Sequence, residues 1–150
     1  MCGLAGIVAL DRSRVDPSEL EPMLAAIRHR GPDSQGFHAG GQVALGFRRL
    51  RIIDLSPSAD QPMLLPDQSL AVVSNGEIYN YRALKTELAG LGHQFRTHSD
   101  TEVILHAWRQ WGVACIARLQ GMFAIAVWDK KADTLTLARD RTGKKPLSCL

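Results

Sequence analysis

Hydrophobic positions along the chain switch between a strand-like and a helix-like period, and the switches mark the expected elements. Residues 4–10 form an unbroken apolar run, the pattern of a strand buried on both faces. Asp16 as N-cap, Pro17 at the first helical position and Glu19 at the third then open a helix. Its apolar positions Leu20, Met23, Leu24 and Ile27 recur at i, i+3, i+4 and i+7. Gly31-Pro32-Asp33 ends it, and the glycine-rich stretch 31–41 is expected to be a loop. Short strands are expected at 43–47 and 50–54, followed by a turn-rich connection at 56–62. Residues 70–74 read as another strand, ending at Asn75-Gly76. Tyr81, Leu84, Leu88 and Leu91 mark a second helix, with Gly92 at its C-terminal cap. Ser99 and Glu102 make a capping box before a third, whose apolar face is Val103, Ile104, Ala107, Trp108 and Trp111. Two last strands, 122–128 and 134–138, are joined across 129–133. Paired strands with helices clustered between them point to antiparallel sheets under layers of helix, an α+β fold, over alternating βαβ units.

Composition narrows this picture. A chain of 150 residues that is 45% hydrophobic fits one globular domain with a real core. At this size roughly 70% of the unfolded surface is buried, so no metal or disulfide staple is needed. No apolar run approaches the ~20 residues of a membrane span. The start lacks the basic region of a secretory signal, so the expected compartment is the cytoplasm. Cys2, Cys115 and Cys149 match no zinc or CxxC spacing and read as free thiols. The balance of 18 Lys and Arg against 15 Asp and Glu gives +3, and the basic clusters lack interleaved aromatics. They read as solvated faces, and nucleic acid and membrane are not expected partners. Phosphate-loop, HExxH, GxSxG and GxGxxG motifs are absent.

Several residues carry candidate chemistry. If Met1 is removed, Cys2 holds a thiol and a free α-amine on one residue. The amine titrates at about 7.7–8.0, so it can take the thiol proton. Nucleophile and base then coincide, whereas the plain alternative is a chance cysteine near the start. Asn75-Gly76 is open to two readings: a type I′ hairpin turn, or an amide and an unobstructed N–H aimed at one oxyanion. Arg49 has a planar fork able to hold a carboxylate, or is a surface residue between two strands. Asp100 is favoured by the helix dipole in the first turn of the third helix, or is a ligand group. Glu77 is open in the same way. His29, His38, His93, His98 and His106 have no metal-ligand spacing and read as structural.

Together these signals form a known pattern. Met1-Cys2-Gly3-Leu4-Ala5-Gly6, Arg28-His29-Arg30-Gly31-Pro32-Asp33, Asn75-Gly76-Glu77-Ile78-Tyr79-Asn80, Ser99-Asp100-Thr101-Glu102 and Gln120-Gly121-Met122-Phe123-Ala124 occur in order. The chain resembles the class II glutamine amidotransferase domain, an N-terminal-nucleophile hydrolase. The HRGPD and NGEIYN forms, with Arg49 to Asp54 and Gln61-Pro62, are similar to those of glutamine-hydrolysing asparagine synthetases. Asp140-Arg141, Gly143-Lys144-Lys145-Pro146-Leu147 and His106-Ala107-Trp108 resemble the synthetase-like enzymes of exosortase and exopolysaccharide clusters. The resemblance implies an αββα sandwich of two antiparallel sheets flanked by helices. It implies Cys2 as nucleophile, Asn75 and Gly76 as oxyanion hole, and Arg49 as the site of the glutamine α-carboxylate. Glu77 and Asp100 would hold the α-ammonium, the backbone at Ile52 and Ile53 would line the pocket, and the loop 31–41 would close over substrate. No metal site is implied.

The implied chemistry is hydrolysis of glutamine to glutamate through a Cys2 thioester, with ammonia supplied to a synthetase domain or subunit that amidates aspartate. ATP and Mg belong to that synthetase domain, which residues 1–150 do not contain; no cofactor is expected in this chain. The domain itself is expected to be partial, incomplete at the C-terminus. Ser148-Cys149 stands where the family has an aromatic pair, and Thr142 replaces an apolar residue. The alternatives are a non-catalytic remnant that binds glutamine or a partner, and the amidotransferase domain of another ATP-dependent amide ligase. A homodimer is a further expectation.

Overall fold

The computed structural model describes residues 2–150. Met1, and with it the expected loss of the initiator methionine, lies outside the described residues. β1 (Gly3–Val8) and β2 (Ser34–Gly40) flank β3 (Val43–Arg49) in an antiparallel three-stranded sheet. β4 (Met63–Leu64), β5 (Leu70–Ile78), β6 (Gly121–Asp129) and β7 (Thr134–Arg139) form a second antiparallel sheet in that order. The helices are α1 (Leu20–Ala26), α2 (Tyr81–Gly90) and α3 (Asp100–Trp111).

Strand alternation explains how these stack. On β3, Val43, Leu45 and Phe47 turn toward Ala71, Val73, Ala126 and Trp128 of the second sheet. Ala44, one residue out of phase, joins Leu20 and Leu24 of α1 on the other side. On β5, Val72 turns away from the first sheet and packs with Leu84 and Leu88 of α2 and with Val103, Ile104 and Trp108 of α3. The layers are therefore helix, sheet, sheet, helices, the expected αββα sandwich. Each large apolar side chain fully buried between layers contributes roughly 1.5–3 kcal/mol. Among the described residues no helix is long and apolar enough to cross a membrane.

The two N-cap signals hold. The Asp16 carboxylate accepts from the Ser18 N–H at 2.9 Å, with Pro17 beginning a short 3-10 turn that leads into α1. The Ser99 hydroxyl accepts from the Thr101 N–H at 3.2 Å at the start of α3. Glu102 does not complete a capping box. Its carboxylate turns to the preceding loop, where it accepts from the Arg96 N–H at 2.9 Å, the Thr97 N–H at 2.8 Å and the Thr97 hydroxyl at 2.7 Å.

Three further expectations are corrected. Most of the stretch 31–41 is not a loop but β2, an edge strand paired to β3 from Ser34↔Arg49 to Gly40↔Val43. A strand fixed into a sheet cannot swing over a substrate, so the closing role falls with it. Gly36 permits this strand because a Cβ there would come to 2.1 Å of the Gln61 carbonyl oxygen. Residues 50–54 do not form a strand, since side chains take their backbone groups. The Leu50 N–H goes to Cys2 Sγ, the Arg51 N–H to Asp33, and the Asp54 carbonyl to Arg49. Asn75-Gly76 is not a hairpin turn: β5 runs through it to Ile78, paired with β6 as Asn75↔Ala124 and Gly76↔Phe123. Long-range pairing overrides the local turn preference here.

Candidate active site

The β1–β3 register pairs Gly3 with Arg48. One step further along, Cys2 stands beside Arg49 at the end of the first sheet. The Leu50 N–H donates to Cys2 Sγ at 3.3 Å, and the thiol lies 3.5 Å from the Leu50 carbonyl oxygen. Arg30 Nε donates to the Cys2 carbonyl at 3.1 Å and ties the start of the chain to the turn after α1. Cys2 also packs on the apolar layer between the sheets, which faces it toward β5.

On β5, backbone groups alternate between the two edges of the strand. Ser74 turns its N–H and carbonyl away from β6 to the Gln61 side chain, and the Ile78 N–H donates on that same edge to Asp100 Oδ2 at 2.9 Å. Gly76 lies midway between them and shares their phase, so its N–H also faces the edge that β6 leaves open. A Cβ at Gly76 would sit 1.9 Å from the Met122 carbonyl oxygen, so the close approach of β6 admits no side chain. Asn75 shares the phase of Ala71 and Val73 and emerges toward the first sheet, buried at 5% exposure.

Cys2, Arg49, Ile52, Ile53, Asn75, Gly76, Glu77 and Asp100 line one cavity of about 120 Å³. Every residue singled out in the sequence for this chemistry is thus brought to one place. A larger cleft of about 900 Å³, between the segment around His93 and α3, contains none of the cysteines. The chemistry, not the volume, selects the smaller one.

The electrostatics of the small cavity favour an incoming cation at one end. Burial raises the pKa of the Asp100 carboxyl, against the Ile78 N–H that lowers it. Burial and the neighbouring charge of Asp100 raise that of Glu77, with Lys145 opposing. A bound ammonium between them would relieve both strains. Arg49 is not a free fork. Its Nη1 donates to Asp60 Oδ1 at 2.6 Å and to the Ser56 carbonyl at 2.9 Å, and its Nη2 donates to the Asp54 carbonyl. It is nearly buried, and it folds the 50–56 segment around the cavity mouth as well as lining it.

Sequence reasoning missed Gln61, Thr101 and Lys145, all of which line the cavity. Lys145 is carried there by a turn around Asp140, whose carboxylate accepts from the Phe123, Lys144 and Lys145 N–H groups and the Thr142 hydroxyl. Together these hold Asp140 well below the usual carboxylate range, in spite of desolvation. The Asp-x-x-Gly spacing before Lys145 was the available signal. Cys115 is fully buried, and desolvation pushes its thiol up to about 12, while Cys149 is exposed.

Comparison with known proteins identifies the domain and its fold. A family model described as glutamine amidotransferase domain matches residues 1–149. Asparagine synthetase (glutamine-hydrolyzing) 2 of Bacillus subtilis strain 168 is 45% identical over 150 residues, covering 98% of this chain and 20% of that protein. Asparagine synthetase (glutamine-hydrolyzing) 3 of Arabidopsis thaliana is 40% identical over 148 residues, covering 98% and 25%. The chain thus spans about a fifth to a quarter of the length of the curated relatives it matches. A solved structure of glutamine phosphoribosylpyrophosphate amidotransferase from B. subtilis, complexed with ADP and GMP, superposes with a TM-score of 0.76 at 23% identity, covering 91% of this chain and 37% of that one. That likeness shows a shared fold. With the family model covering nearly every residue, the chain belongs to the glutamine amidotransferase domain family.

Proposed function

We propose that this domain hydrolyses the side-chain amide of glutamine through a γ-glutamyl thioester on Cys2. The observation that carries the reading is that Cys2 and Gly76 line one cavity, with Gly76 in phase with Ser74 and Ile78, whose N–H groups face away from β6. With Met1 removed, the Cys2 α-amine takes the thiol proton and the sulfur attacks the amide carbon. The oxyanion that forms is met by the Gly76 N–H and the Asn75 amide; losing such a donor lowers the rate by roughly 10²–10³. The protonated α-amine then gives its proton to the departing ammonia. Water, activated by the same amine, releases glutamate and regenerates the thiol. Glu77 and Asp100 hold the substrate α-ammonium, Arg49 faces the α-carboxylate, and the 52–53 backbone lines the mouth. The ammonia serves a synthetase domain or subunit, with aspartate as the acceptor by analogy to the asparagine synthetases. ATP and Mg belong on this reading to that amide-forming step and not to these residues.

The test is covalent. The diazoketone analogue of glutamine, 6-diazo-5-oxo-norleucine, should alkylate Cys2: the thiol proton passes to the diazo carbon, sulfur bonds to that carbon and dinitrogen leaves. Peptide mapping should find the adduct on Cys2 alone, and excess glutamine should suppress it. Intact mass should show a chain starting at Cys2. Slow labelling shared among Cys2, Cys115 and Cys149, unaffected by glutamine, would refute the reading.

A further inference from the structure

The open edge of β5 offers three successive rungs, and the protein itself occupies the outer two. At Ser74 the occupant is the side chain of Gln61. The β4–β5 register pairs Met63 with Val72 and Leu64 with Ala71, so its continuation would set Gln61 opposite Ser74. The backbone leaves the sheet at Pro62, which has no N–H to give. The Gln61 amide takes over the rung: Oε1 accepts from the Ser74 N–H at 2.6 Å and Nε2 donates to the Ser74 carbonyl at 3.2 Å. At Ile78 the occupant is Asp100. The middle rung, Gly76, is left for substrate.

The two outer rungs are joined. Gln61 Nε2 also donates to Thr101 Oγ1 at 3.1 Å, and Thr101 follows Asp100 at the head of α3. The path Gln61, Ser74, Gly76, Ile78, Asp100, Thr101 and back to Gln61 is a closed ring of covalent and hydrogen bonds around the oxyanion donor. Gln61, Ser74, Asp100 and Thr101 are each at most 8% exposed, so water does not compete for these bonds. Both amide protons of Gln61 are used, one for the strand and one for the helix.

We propose that Gln61 is a positioning residue that keeps the Gly76 N–H in register with the Asp100 carboxylate, acting through Thr101. The inference rests on the glutaminase reading above. In that reading the reacting amide sits at Gly76 and the α-ammonium at Asp100, so the ring sets the length of substrate that meets both.

Thr101→Val removes the helix link while leaving the Gln61–Ser74 rung whole. Two probes separate its effect: 6-diazo-5-oxo-norleucine, and 6-diazo-5-oxohexanoic acid, which lacks the α-ammonium. Alkylation of Cys2 by the amino probe should slow about tenfold in the valine variant, the scale of losing one aligned hydrogen bond. The des-amino probe, which never engages Asp100, should react at the parent rate, and Thr101→Ser should restore the amino probe. A merely structural role would slow both probes by one factor, and that result, or no slowing of either, overturns the proposal while the glutaminase reading stands. Should the valine variant not fold, Thr101→Ala on the same two probes carries the comparison. A parent chain that neither probe labels at Cys2 refutes the glutaminase reading, and the proposal with it.

Discussion

Replacing Glu102 by glutamine tests how the head of α3 is held. Glu102 lies two residues beyond Asp100 on α3 and is nearly buried, with its side chain 7% exposed. Burial alone would raise its pKa. The nearby His106 ring, the Arg96 and Thr97 N–H groups and the Thr97 hydroxyl outweigh that and hold it at about 2, against 4.5 for an ordinary glutamate. A difference of that size corresponds to roughly 3 kcal/mol of stability. The folded value lies below the unfolded one, so the contribution is complete at neutral pH and fades as pH falls from 4.5 toward 2. Glutamine keeps the shape but turns an NH₂ toward donors that need an acceptor. The variant should therefore be less stable by roughly 2–3 kcal/mol at neutral pH, and the gap should close in acid. Urea unfolding of parent and variant at several pH values down to 3 measures it directly. A gap that stays constant across that range, or no gap at neutral pH, would show that the charge of Glu102 does not hold the 95–97 segment.

Two further substitutions probe the site's frame. Gly76→Ala drives a methyl into the Met122 carbonyl and to 2.7 Å of Phe123 Cα, both backbone of the neighbouring strand. It should destabilise by about 3 kcal/mol or more, and an unchanged thermal melting point would contradict the close approach of β5 and β6. Arg49→Lys keeps the charge, but one ammonium cannot reach Asp60, Ser56 and Asp54 together. A loss of about 1–3 kcal/mol is expected, with faster proteolytic cutting in the 50–56 segment; parent-like cleavage would show that Arg49 does not fold that segment.

Much of this architecture is legible in residue order, and the failures have physical causes. Helices announced themselves through Leu20, Leu24, Leu84, Leu88, Val103 and Ile104, because burying one stripe imposes a helical period. The buried strands were visible as runs without polar interruption. Strand β2 was hidden because its pairing to β3 does not depend on its own side chains, which are small, polar or half-exposed. Asn75-Gly76 misled in the opposite way: the dipeptide suits a tight turn in isolation, while β6 supplies nine residues of pairing that no local rule sees. The pocket residues Arg49, Asn75, Gly76, Glu77 and Asp100 were found through motif resemblance, with their chemistry as support. Gln61 escaped because its function lies in three bonds to partners 13 and 40 residues away. Spacing along the chain carries no trace of such contacts.

On the glutaminase reading, the nucleophile Cys2 stands at the end of one sheet and the oxyanion rung Gly76 on the other, with the layer of Phe47, Val73 and Trp128 between the sheets as their common reference. The alignment of sulfur with Gly76 that this reading requires is therefore a property of side-chain order in that layer and not of either sheet alone. A state in which both sheets keep their hydrogen bonds while this layer loosens would retain its backbone spectrum and much of its compactness. It would nevertheless be silent, because sulfur and Gly76 would wander apart by more than a reacting bond tolerates. Loss of turnover on warming should thus report the melting of the inter-sheet contact before the melting of the strands.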